Sequence, residues 1–103
     1  MKILISKRFE KDVLKIADTR ILAKIRQILE QAKTANAISD ITGIEGMAGH
    51  PNFYRIKFDY RYRIGIYLEH DTLQFLRVGG RGDFYKIFPW TKQKLKMRAK
   101  ENP

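Results

Sequence analysis

A chain of 103 residues with 44% hydrophobic content is sized for one domain around one ordinary core, which sets aside both a two-domain layout and intrinsic disorder. It has no cysteine, which excludes disulfide scaffolds, thiolate zinc sites and thiol catalysis, and its two histidines, His50 and His70, stand far apart without carboxylates at ligand spacing, so no metal and no cofactor is expected. The formal net charge of +10 calls for an anionic partner, with nucleic acid ahead of an acidic protein and an anionic membrane surface last. No apolar run approaches the roughly 18 to 20 residues of a membrane span. The opening Met1-Lys2-Ile3-Leu4-Ile5-Ser6 turns polar too soon for a signal peptide, so a soluble cytoplasmic protein is expected.

Lys2 to Ile5 reads as a short first strand, and Ser6 as the N-cap of a helix that carries Phe9, Val13 and Ile16 at helical spacing. Asp18 and Thr19 interrupt that run and can cap a second helix. There Ile21, Leu22, Ile25, Ile28 and Leu29 recur at the i, i+3, i+4, i+7, i+8 spacing of an amphipathic stripe. The pair should form a helical hairpin over one face of a sheet, with Lys15, Lys24, Gln27 and Glu30 on its solvated side. Thr34 to Asn52, with Gly43, Gly46, Gly49 and Pro51, reads as an irregular connection holding at most a short helical turn. Three strands follow, about Phe53 to Asp59, Arg61 to Glu69 and Thr72 to Gly79. Tight turns at Asp59-Tyr60 and His70-Asp71 make them an antiparallel meander. The expected fold class is α+β: one domain over residues 1–88, then a short basic tail over 89–103. In that tail Lys92, Lys94, Lys96, Arg98 and Lys100 interleave with Leu95 and Met97, as a short helix or as chain that orders on binding.

Strand alternation separates this sequence into two faces. Tyr54, Ile56 and Phe58 are expected to share one buried face with Tyr60, Tyr62, Ile64, Ile66 and Leu68, while Arg55, Lys57, Arg61 and Arg63 fall on the other, where no acid is read. Like charges across a ladder cost a few tenths to about 1 kcal/mol per pair. Folding does not ask for such a face, and an anion such as a polyphosphate chain does. Arg81 follows Gly79-Gly80 and can reach over the sheet, and Tyr85 comes one helical turn later if the chain coils there. A guanidinium suits phosphate and a ring suits a nucleobase. The plainer alternatives are a merely solubilising cationic face, Phe84 and Tyr85 as core residues, and Arg81 as a loop charge. His50 is a weak general-base candidate and more simply an exposed loop residue, and His70 reads as inert. Glu45 is an acid or base without an identifiable partner. Phe88 and Trp90 close the core or anchor the tail.

The order strand, helical hairpin, three-stranded meander, together with the segments NFYRIKFDYRYRIGIY and FLRVGGRGDFYKIF, resembles the RelE/ParE superfamily of bacterial type II toxin–antitoxin toxins, on its RelE branch. The resemblance runs over nearly the whole chain to Phe88. It implies a ribosome-dependent mRNA endonuclease that cuts A-site mRNA without a metal, and a cognate antitoxin that binds the toxin in a hetero-oligomer. By position it matches Arg55 and Lys57 to paired basic strand residues, Arg63 to a phosphate-stabilising arginine, Arg81 to the arginine after the strand-end glycines, and Tyr85 to the aromatic residue that closes the site. Arg55 stands where a lysine is familiar, and no histidine follows His70. The expected catalytic set is Lys57, Arg63, Arg81 and Tyr85, with Arg55, Arg61 and Lys86 as RNA contacts and no metal. Lys57 is the expected base, because neighbouring cations and partial burial favour a neutral amine. Two other readings stand beside this one: a ParE-like inhibitor of DNA gyrase, and a nonenzymatic basic RNA-binding domain.

Overall fold

Ser6 links the first two elements of the chain. In the computed structural model, which describes residues 1–89, its hydroxyl accepts from Phe9 N at 3.0 Å, capping a helix, and donates to Leu76 O at 2.9 Å, tying that cap to the sheet. The elements run β1 (Lys2–Ile5), α1 (Lys7–Leu14), α2 (Thr19–Thr34), a 3₁₀ turn (Ile38–Asp40), β2 (Ile44–Met47), β3 (His50–Phe58), β4 (Tyr62–Glu69), β5 (Thr72–Gly80) and α3 (Arg81–Ile87). Asp18 caps α2 by accepting from Arg20 N at 2.9 Å. The sheet order is β1-β5-β4-β3-β2, with β1 parallel to β5 and every other pairing antiparallel.

The two faces of the sheet bury different clusters. On the face covered by α1 and α2, Phe9, Ile21 and Ile25 pack with Ile56, Ile64, Ile66, Leu73, Phe75 and Val78. On the other face Phe84 and Phe88 pack with Phe53 and Leu76. A bulge in β5 allows both clusters to form. Gly65 pairs with Arg77 and Ile66 with Phe75, so Leu76 is an extra residue that turns to the second cluster while Phe75 and Val78 stay on the first. Asp12 of α1 is buried against the bulge and accepts from Arg77 Nε at 2.8 Å, Arg77 Nη2 at 3.1 Å and Val78 N at 3.0 Å.

The α+β class, β1, the helical hairpin and the meander agree with the sequence reading. The segment expected to be an irregular connection does not. It holds β2, an edge strand antiparallel to β3, and β3 begins at His50, so the sheet has five strands where four were expected. The four residues of β2, Ile-Glu-Gly-Met, are too short and too glycine-rich to show a period. The flanking glycines make the strand possible: Gly43 has φ +80°, and a Cβ there would stand 2.6 Å from Lys57 O. Phe88 closes the second cluster as expected. The expected basic tail and Trp90 lie, from residue 90 onward, outside the described residues.

Candidate nucleic-acid interface

The face opposite α1 and α2 is built by register. Lys57 stands opposite Arg63, and Arg63 opposite Gly79 on its other side. Gly65 lies two residues further along β4. A Cβ there would fall 2.6 Å from the Phe88 ring, so the ring rests on bare backbone and α3 covers the middle of the sheet. The end of the face nearest the β3–β4 turn carries the charge. β5 ends at Gly80 opposite Tyr62, and Arg81 N, the first residue of α3, donates to Arg61 O at 2.6 Å. The backbones of Arg61, Arg63 and Arg81 therefore gather at one corner, with Lys57 one strand across.

Within that corner the side chains differ. Arg63 is 7% exposed, its Nη1 donates to Tyr60 O at 3.1 Å and Tyr62 O at 3.0 Å, and its Nε is buried without a partner. No carboxylate pairs with it among the described residues. Arg81, Tyr85 and Lys86 are exposed on α3. At about 100° per residue Arg81 and Tyr85 flank the docked stripe of Phe84 and Phe88, whereas Lys86 points away from the sheet. The plainer alternative for this segment divides: Phe84 is core, and Tyr85 is 47% exposed with its ring edge-on to Phe84 at 5.1 Å.

The face is not free of acid, contrary to expectation. Glu45 of β2 sits opposite Arg55, its Oε1 3.1 Å from Arg55 Nη1 and 3.8 Å from Lys57 Nζ. The expectation failed because Glu45 lies in the strand that was not recognised. Arg55 is thus compensated, and Lys57 is exposed beside a carboxylate, not partly buried among cations alone as expected. His50 opens β3 at the opposite end from Lys57, its ring edge-on to Phe53 at 6.2 Å, and His70 lies in the β4–β5 turn, away from the charged corner. Arg61 is exposed in the β3–β4 turn.

Sequence reasoning missed what holds this turn. Asp59 accepts from Arg20 Nη1 at 2.6 Å and Lys24 Nζ at 2.7 Å, both from α2. Those hydrogen bonds, from Arg20 first and then Lys24, lower the Asp59 pKa from 3.8 to about 2. An acid at a hairpin turn was the available signal, but nothing in the spacing pointed it at α2.

An α+β fold with a helical pair behind the sheet is one that this chain shares with small toxins of solved structure. No family model matches the chain. Toxin RelE3 of Methanocaldococcus jannaschii is 39% identical over 90 residues, spanning 86% of this chain and 100% of that toxin. A chain in the crystal structure of the RelB-RelE antitoxin-toxin complex from Methanococcus jannaschii superposes with a TM-score of 0.71 at 36% identity, over 84% of this chain and 99% of that one. The isolated RelE toxin of E. coli shares the fold at 14% identity, with a TM-score of 0.57 over 96% of each chain. The chain belongs to the RelE family of toxins.

Proposed function

We propose that this chain is the toxin of a toxin–antitoxin pair and inhibits translation as a ribosome-dependent endoribonuclease acting on mRNA in the A site. The observation that carries this reading is Arg63, a nearly buried guanidinium fixed by two carbonyls, with an unpartnered Nε and no carboxylate paired to it among the described residues. A buried charge left uncompensated is costly to the fold, and an RNA phosphate compensates it. Arg81 begins the adjoining helix, so a phosphate at this corner has two cations within its reach.

The chemistry is attack of a ribose 2′-OH on the adjacent phosphate. The O2′–P bond forms, the P–O5′ bond breaks, and the products are a 2′,3′-cyclic phosphate and a 5′-OH. Arg63 and Arg81 stabilise the extra negative charge of the phosphorane, usually the largest catalytic term, and the leaving 5′-oxygen takes its proton from solvent water beside Arg81. Glu45, 3.8 Å from Lys57 Nζ, is the carboxylate that takes the 2′-OH proton, and Lys57 holds the attacking oxygen in place. Tyr85 stacks on or orients the scissile nucleotide, and Arg61 holds the strand by its phosphates, while Arg55, paired to Glu45, and Lys86, directed away from the sheet, can meet it only outside the scissile corner. An acidic antitoxin covers the cationic surface in the resting cell. Its support is the charge of +10 and the antitoxin seen with the similar RelE toxin.

In a reconstituted translation reaction Arg81→Ala should lose about 100-fold or more of the cutting rate while still sedimenting with ribosomes. Supercoiling by gyrase should proceed normally in the presence of the wild-type chain. Blocked supercoiling with intact mRNA would instead identify a gyrase inhibitor, and ribosome binding without cut products would identify a nonenzymatic RNA-binding domain.

A further inference from the structure

The β3–β4 turn holds strain that core packing does not explain. Asp59 and Tyr60 have φ of 47° and 62°, the left-handed region that disfavours a bulky side chain. The Tyr60 ring gains nothing by it: the residue is 84% exposed, and its ring touches no other ring among the described residues. Yet the turn beneath it is fixed from three directions, one through the Asp59 side chain and two through backbone carbonyls. Asp59 is held by Arg20 at 2.6 Å and Lys24 at 2.7 Å, Tyr60 O accepts from Arg63 Nη1 at 3.1 Å, and Arg61 O accepts from Arg81 N at 2.6 Å. Two of those three anchors come from the arginines assigned to the phosphate.

We propose that the Tyr60 ring is a stacking platform for an unpaired nucleobase of the RNA strand entering the site, with Arg61 on the adjoining phosphate. This rests on the reading of the chain as an RNA-acting toxin and adds a contact that reading does not assign. A flat ring on a rigid stem binds a base with little further loss of freedom, and any base offers it a face. A protein partner would use such a ring as an apolar anchor among apolar neighbours. Its sequence neighbours here are Asp59 and Arg61, both charged, and the corner behind it is cationic.

The test is fluorescence anisotropy of the full chain with a labelled single-stranded hexanucleotide, 2′-O-methylated throughout so that it cannot be cut. Tyr60→Phe should bind like wild type, because stacking does not need the hydroxyl. Tyr60→Asn and Tyr60→Ala should bind about tenfold more weakly, the order of one lost base stack. Tyr60→Asn should melt at the wild-type temperature or above it, since Asn tolerates left-handed backbone. Its slope of log affinity against log salt should be unchanged, whereas Arg61→Ala should lose about 0.7 of slope for one phosphate. The proposal is overturned if Tyr60→Asn binds as tightly as wild type, if Tyr60→Phe fails as badly as Tyr60→Asn, or if the wild-type chain has no measurable affinity. It is also overturned if Tyr60→Asn spares RNA and weakens the complex with the antitoxin, which would make the turn a protein contact. The nuclease reading is judged separately, on the products made by wild type and Arg81→Ala.

Discussion

The guanidinium of Arg63 sits almost wholly out of water, and the partners it finds among the described residues are carbonyls of Tyr60 and Tyr62. Buried ion groups are often replaced by apolar residues of similar length at little cost. Arg63→Met should therefore keep thermal stability within about 1 kcal/mol of wild type and lose about 100-fold or more in mRNA cleavage. A variant that unfolds would make Arg63 a structural residue, and one that cuts normally would remove it from the site. Alternation of side chains was enough to read Arg63 onto one face with Arg55 and Lys57. Its burial was not legible, because that depends on how the chain closes around residues 60–62. Nor was the pairing of Arg55 and Lys57 with Glu45, since a contact between strands cannot be read before both strands are recognised.

Each helix is joined to the sheet by a small number of identifiable contacts. Asp12 binds Arg77 by two hydrogen bonds and the Val78 amide by a third, all at the β5 bulge. Asp12→Ala strands Arg77 and should cost about 3–5 kcal/mol, the range for breaking a buried pair, measured by urea denaturation. A loss below 1 kcal/mol would contradict the clamp. On the opposite face Gly65→Ala pushes a methyl into the Phe88 ring and should cost about 1–3 kcal/mol, with α3 amides losing protection before the rest. For α2 the link is Asp59, whose folded pKa of about 2 lies below its ordinary 3.8. The unfolded chain therefore takes up the proton first on acidification, and the contribution is whole above about pH 4 and lost as pH falls toward 2. The melting deficit of Asp59→Asn should be clear at pH 6 and shrink by pH 2; a deficit that stays constant would contradict the assignment. The helices themselves were legible from Ser6, Asp18 and the Ile21 to Leu29 stripe, because caps and a 3.6-residue period are local signals. The edge strand β2 and the bulge at Leu76 were not, because both are defined by what lies across the sheet.

At the scale of the whole molecule, 21 basic residues face 11 acidic ones, and the charge is not evenly cancelled. Acids neutralise cations at the α2 end of the turn, at the β5 bulge and beside Arg55, and they leave the corner formed by Arg61, Arg63 and Arg81 uncompensated among the described residues. Association with ribosomes should therefore weaken steeply with salt, and an affinity indifferent to salt would argue against a phosphate interface. The central claim is that this corner surrounds one scissile phosphate. Primer-extension mapping of cellular mRNA after brief induction, comparing wild type with Arg81→Ala, tests it most directly. Discrete cuts within translated reading frames, present with the wild-type chain and absent with Arg81→Ala at equal protein level, are the expected result. Identical cuts from both chains, or growth arrest by wild type without any cuts, would contradict it.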